Sequence, residues 1–374
     1  MTVYDLVNSL SNANFDSILS RIYGNSEIEI MRQKARYISG LEKFSANFPE
    51  QDDVRIFSVP EFIEIAGDHL NSGTGYLLEA AEKQDIFAIS ALNNKGEFRI
   101  ITADKTAESE ALFIIRSILE EFEKSGEAIA GFDLYLDWES NEIPDKSVFE
   151  ALILRIVDKK TPETALAGLR FTNFTDAEHP DIKAIDCDIS GLGYSLLVVE
   201  PDVLKKYGFD KYVTSTLGEV AEFLGIGDLL EMEYHDYLRK MSAIIDKFSE
   251  KEAIQGFCYI RENLCTYEMA KALEKSDISS LLAAIDRSYD FTVIKLMEIC
   301  GSERRYYMKL LTAFMELRDF LAGSGAVGMH ENKLIGFVPT YMNDVINEKI
   351  IELFGNVNFR ILNLRRSGAT EIQL

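Results

Sequence analysis

Arg55-Ile-Phe-Ser-Val-Pro-Glu-Phe-Ile-Glu-Ile-Ala-Gly-Asp-His-Leu-Asn71 carries more architectural information than any other stretch of this chain. It reads as an apolar strand, a break at Pro60, a second short strand and then a polar cluster. The cluster is Asp68, His69 and Asn71, followed by Ser72, Gly73, Thr74 and Gly75. Three side chains bearing donors and acceptors converge there on a glycine-rich turn, an arrangement suited to gripping a small polyol. A plainer reading stands beside it: Asp68 and Asn71 can cap the turn into the next element.

On the N-terminal side, residues 1–50 place apolar residues at helical spacing, interrupted at Gly24-Asn25. On the C-terminal side, residues 54–103 read as strands, with Ile86–Leu92 and Phe98–Thr102 joined by the turn Asn93–Gly96. An amphipathic helix is predicted over 105–125, from the stripe Ala111, Ile114, Ile115, Ile118, Leu119 and Phe122. Gly131–Asp137 is predicted as a strand and Val148–Val157 as a short helix. In the second half, strands are predicted around Gly168–Phe174, Ile182–Ile189 and Tyr194–Val199. A mostly helical stretch runs from about Val213 to Leu321. Strands Lys333–Val338 and Asn358–Leu364 then flank the helix Met342–Phe354. Strands with interspersed helices in both halves predict an α+β protein of two domains, 1–165 with a helical arm over 1–50, and 166–374.

The length of 374 residues fits two domains. Lysine and arginine number 39 against 62 aspartates and glutamates, a formal net charge of −23. Such a chain repels nucleic acid and anionic membrane surfaces, and a nucleotide site in it needs its own local donors. The cysteines Cys187, Cys258, Cys265 and Cys300 match no zinc or CxxC spacing and read as reduced core thiols. No metal site is expected. With no signal-peptide pattern and no apolar run long enough to span a bilayer, a cytoplasmic location is the expectation.

The opening stretch resembles the galactokinase signature P-G-R-x-E-I-x-G-N/E-H-T-D of the GHMP kinase superfamily. It keeps Pro60, Glu64, Ile65, Gly67 and His69. Further likenesses, to the bacterial branch, follow in order: Arg21–Gly24 and Arg36-Tyr37, Gly131–Tyr135 as a G-F-D-x-Y strand, Phe149–Ile153, Glu262-Asn263, and Phe337–Pro339 as F-V-P. The resemblance implies a two-domain GHMP kinase-like fold, with an N-terminal mixed sheet and helices and a C-terminal ferredoxin-like α+β domain. It also implies a sugar site at Asp68, His69 and Asn71, with Tyr212 near the sugar.

The departures from the family pattern fall on its chemistry. The position of the family's catalytic arginine is Phe62. Its glycine-rich phosphate loop, which cradles ATP at a helix N-terminus, corresponds to Ile143–Phe149, a stretch without glycine. Lys146 and Ser147 remain there as residual cofactor-binding candidates, beside the carboxylate of Asp145. The catalytic aspartate loop is absent, leaving Asp158 and Glu163 as substitute bases outside any motif. The third glycine run is shortened to Gly325–Gly336 and gains Glu331. The resulting expectation is a pseudokinase that binds a galactose-like sugar or a protein partner, without a cofactor. Two alternatives stand: an active galactokinase or related small-molecule kinase, which would use ATP and Mg, and a regulatory interaction module without a small ligand.

The remaining candidates have ordinary readings. His235-Asp236 lies in an acidic helical stretch, read as a solvated face. His330 sits beside a turn. Arg304-Arg305 and Arg365-Arg366 read as salt-bridged or surface pairs. Trp138 ends a strand, where it would pack at the edge of a core or stack on a sugar.

Overall fold

The structure, a computed structural model, describes residues 1–374 except 13, 68–73, 94, 104–107, 127–128, 140–142, 159–162, 177–178, 203, 205–215, 289–292, 294–303, 331–332 and 374; the side chains at 163–164 and 304–307 also lie outside the description. Two compact units are built from interleaved stretches. The first holds Met1–Ile63, Ala81–Gly168 and Arg365–Leu374, and the second holds Glu64–Ala80 and Leu169–Leu364. A single cut between 165 and 166 lies beside only one of these crossings. The others arise because the long strands β1 (Arg55–Gly67) and β2 (Tyr76–Leu92) each contribute to both units.

In the first unit the strand order is β11-β1-β2-β4-β3, with β3 at Phe98–Thr102, β4 at Phe132–Trp138 and β11 at Thr370–Ile372. Strands β3 and β4 are parallel and are joined through helix α4 (Glu108–Lys124); β2 and β4 are antiparallel. The period-two alternation of β2 divides its side chains between two cores. Phe87 and Ile89 face the helical arm, α1 (Val3–Ser11), α2 (Asp16–Tyr23) and α3 (Glu27–Asn47), packing with Leu10, Tyr37 and Phe44. Ile86 and Ala88 face α4 and α5 (Lys146–Ile156), packing with Ile115, Ile118 and Phe149. The arm is set by local signals: the Thr2 and Ser26 hydroxyls cap α1 and α3, accepting the N–H groups of Asp5 and Glu29. A short helix α6 (Glu163–Leu166) follows α5.

Pro60 does not split the first strand in two. β1 is continuous, and Pro60 is buried within it. The antiparallel ladder to β11 covers Ile56–Ser58, so Pro60 lies beyond it and its missing N–H interrupts no bond of that ladder.

In the second unit, β5 (Leu169–Asn173) pairs with Tyr76–Ala80 of β2, and β6 (Asp181–Ile185) pairs with β5. A separate antiparallel sheet has the order β10-β7-β9-β8, formed by β7 (Tyr194–Glu200), β8 (Ala326–His330), β9 (Lys333–Pro339) and β10 (Asn358–Leu362). Between β7 and β8 come helices α7 (Leu217–Leu224), α8 (Tyr234–Lys247), α9 (Glu250–Glu274), α10 (Ile278–Arg287) and α11 (Arg304–Leu321). Helix α12 (Asn343–Phe354) links β9 to β10. This connectivity is the ferredoxin-like arrangement, with helical insertions before β8. α11 and α12 pack on the sheet through Phe314, Leu317, Ile346 and Ile350. Among the described residues no helix is long and apolar enough to cross a membrane.

Candidate functional site

The polar turn that the sequence singles out is bracketed by described residues, while Asp68, His69 and Asn71 themselves, and Tyr212, lie outside the described residues. Gly67, just before the turn, has φ +139°, and a Cβ there would sit 2.1 Å from the Tyr76 carbonyl oxygen. Only glycine fits this close approach. On the far side, the Thr74 hydroxyl lies 2.7 Å from Asp228 Oδ2 and 2.9 Å from the Tyr259 hydroxyl. The Tyr76 N–H donates to Asn263 Oδ1 at 2.5 Å. Asn263 is fully buried on α9 and donates from its own amide to the Tyr259 carbonyl.

Glu262, the other half of the Glu-Asn pair, points to a group that the sequence did not single out. His330 at the end of β8 is buried rather than exposed beside a turn, its side chain 5% accessible. Its Nε2 lies 3.1 Å from Glu64 Oε2 at the end of β1. Its Nδ1 lies 3.8 Å from Glu262 Oε1 and has no hydrogen-bond partner among the described residues. Burial alone would depress the imidazole pKa, but the carboxylates of Glu262 and Glu64 outweigh it and lift it to about 9. The imidazolium therefore ties β1, β8 and α9 together. A cavity of about 20 Å³ adjoins this cluster, lined in part by Glu262, Cys265, Thr266 and Ser288. It has room for about one water molecule and none for a sugar. Asn263 thus holds Tyr76, beyond the polar cluster, to α9, and Glu262 stands beside the imidazole that meets Glu64; the sequence signal for this pair was its match to the family pair.

The positions that the resemblance would set beside ATP carry different chemistry. Lys146 and Ser147 open α5, as the sequence places them, but the Lys146 ammonium is bound to both oxygens of Glu121, at 2.7 and 2.9 Å. Glu150 stands 3.5 Å from the same ammonium. Asp145 occupies the N-cap without a side-chain cap bond. Two carboxylates thus gather about one cation, and a third, Asp145, stands at the N-cap, where an anion would need backbone donors and positive charge. The residues present do not fit a triphosphate. Phe62, which the resemblance aligns with the family arginine, is half-buried in β1. Asp158 is not positioned as a base: Arg55 binds both its oxygens, at 3.1 and 2.8 Å, and also binds Glu371. The Glu163 side chain and Glu331 lie outside the described residues. Within Gly325–Gly336 lie β8 and the start of β9, which pair antiparallel, and Gly336 is required because a Cβ would clash with the Ala326 carbonyl oxygen.

The lesser candidates are structural. His235 is exposed beside the Tyr234 ring, and Asp236 pairs with Arg239 at 3.1 Å. Trp138 packs on the edge of the core that contains Phe149. Cys187, Cys258 and Cys265 are buried and unlinked, and burial pushes the Cys265 thiol up to about 12; Cys300 lies outside the described residues. The Arg304 and Arg305 side chains lie outside them too. Arg365 is not at the surface at all; its side chain is fully buried.

No protein family and no curated protein matches the chain. Solved structures do. Galactokinase of Lactococcus lactis complexed with galactose matches with a TM-score of 0.61 at 12% identity, covering 88% of this chain and 98% of that one. Mevalonate-3-kinase from Thermoplasma acidophilum, with mevalonate bound, gives a TM-score of 0.45 at 12% identity, covering 85% and 98%. The first of these likenesses shows the architecture: the chain has the mixed α+β fold of the GHMP kinases.

Proposed function

We propose that this protein is a galactokinase-like pseudokinase, which binds a galactose-like sugar and does not transfer phosphate from ATP. One observation carries the reading. The helix that should present a phosphate cradle has Asp145 at its N-cap, and the Lys146 ammonium that opens it is paired with Glu121. The substitution of Phe62 for the arginine and the engagement of Asp158 by Arg55 point the same way. The sugar side supports the other half of the reading. Gly67 and Thr74, which flank the stretch that carries Asp68, His69 and Asn71, are fixed by a close approach to Tyr76 and by bonds to Asp228 and Tyr259.

A coupled assay with galactose and Mg-ATP tests this. Kinases typically turn over at about 1–100 s⁻¹, and loss of a single transition-state donor lowers rates by about 10²–10³. Turnover is expected at least about a thousandfold below that range. Turnover within it, abolished by Lys146→Ala, would instead establish an active kinase that has rebuilt its phosphate site around Lys146.

A further inference from the structure

Strand β6 leaves one edge open in the second unit: β5 is its only partner among the described residues. Asp181, Ile182, Lys183 and Ala184 are exposed along it, on both faces, with Ile182 40% accessible. Such an edge presents a row of backbone N–H and C=O groups that another extended chain can complete. Charges on an edge usually block this pairing. On β6 they block some registers and match in another.

Residues opposite each other in an antiparallel pair turn their N–H and C=O groups the same way. A strand that pairs with its own copy about a two-fold axis must therefore centre on a residue, not between two. Centring on Lys183 sets Lys183 against Lys183, and centring on Asp181 sets Asp181 against Asp181. Centring on Ile182 sets each Asp181 against the copy's Lys183 and the exposed Ile182 against its own copy. Asp181 and Lys183 already lie 3.5 Å apart along one strand. On one face the paired edges would thus carry four charges of alternating sign, and on the other Ile182 would meet its copy.

We propose that this chain self-associates through β6, as an antiparallel pair of edges centred on Ile182. Pro180 has no N–H and ends the ladder on that side. The pair is short, so the interface falls below the roughly 1,200 Å² of standard complexes and the dimer is weak. Asp176, Asp186 and Asp188 flank the strand, are exposed and approach their copies, as does the net charge of −23. Salt screens this repulsion, so association tightens as ionic strength rises.

Sedimentation velocity on the full chain, from tens to hundreds of micromolar at low and high salt, tests the proposal. A reversible dimer that grows with salt is expected. Lys183→Asp and Asp181→Lys, both at exposed positions, should each be monomeric, because like charges then face each other across the axis. An equimolar mixture of the two variants should dimerise again, since one edge is then wholly negative and the other wholly positive. A wild-type monomer throughout, single variants that dimerise like wild type, or a mixture that stays monomeric would each overturn the proposal.

Discussion

Asp85→Asn is expected to destabilise the first unit by about 3–5 kcal/mol, the usual effect of removing one partner from a buried charge pair. Asp85 lies on β2 with its side chain fully buried, and so does that of Arg365, 3.8 Å away. The carboxylate also receives the Tyr23 hydroxyl at 2.6 Å, Arg36 Nη1 at 2.8 Å and the Ser58 hydroxyl. Arg36 has other acceptors, the Asp137 side chain at 3.2 Å and its carbonyl at 2.8 Å. Among the described residues Arg365 has neutral ones only: Ser58, the Ser367 and Thr370 hydroxyls and the Gly368 carbonyl. An amide at position 85 keeps the shape but leaves the Arg365 charge uncompensated in the interior. Denaturant unfolding measures the loss. Adding Arg365→Met should recover part of it, because the orphaned charge is then gone, and the double-mutant cycle isolates the pair. A loss below about 1 kcal/mol for Asp85→Asn would refute this account of the cluster.

The second large effect is linked to pH through His330. Its folded pKa, about 9, stands above the ordinary imidazole value. A raised pKa means that the folded state binds the proton more tightly than the unfolded chain does. The stabilisation is therefore complete below the unfolded value, near pH ~6.5, and is lost as pH rises through about 9. At ~1.4 kcal/mol per pH unit, stability should fall by about 3 kcal/mol across that window. His330→Gln should be less stable at pH 6 and should lack this fall. Unfolding curves of both proteins between pH 6 and 9.5 read it directly; parallel profiles would show that the imidazolium contributes nothing.

Much of the fold was legible because its signals are local. The helical spacing of residues 1–50, the stripe of α4 and the apolar run of β7 each fix an element by composition and spacing. The full length of β2 was obscured because Glu79, Glu82, Lys83 and Asp85 interrupt its apolar pattern. Glu79 and Asp85 are compensated there by Arg170 and by Arg36 and Arg365, which reach them from positions distant in sequence. The interleaving of the units was hidden for the same reason: pairing between distant strands has no local signature. Family-like residues gave position rather than role. Arg36 and Tyr37 belong to the Asp85 cluster, and Asp133 of the G-F-D-x-Y strand is buried against Arg99 and Asn93. At the candidate site, the lack of glycine in Ile143–Phe149 and the presence of Phe62 were plain in the sequence. The capture of Lys146 by Glu121 was not, because it joins two helices.

Thermal melting with galactose and with Mg-ATP, each added alone, tests the loss of the nucleotide site most directly. A ligand that binds only the folded state adds about 2.7 kcal/mol at ~100 times its dissociation constant. Galactose should raise the melting temperature and Mg-ATP should leave it where it was. A rise with Mg-ATP would mean that the acidic start of α5 still receives a triphosphate, and the pseudokinase reading would fall.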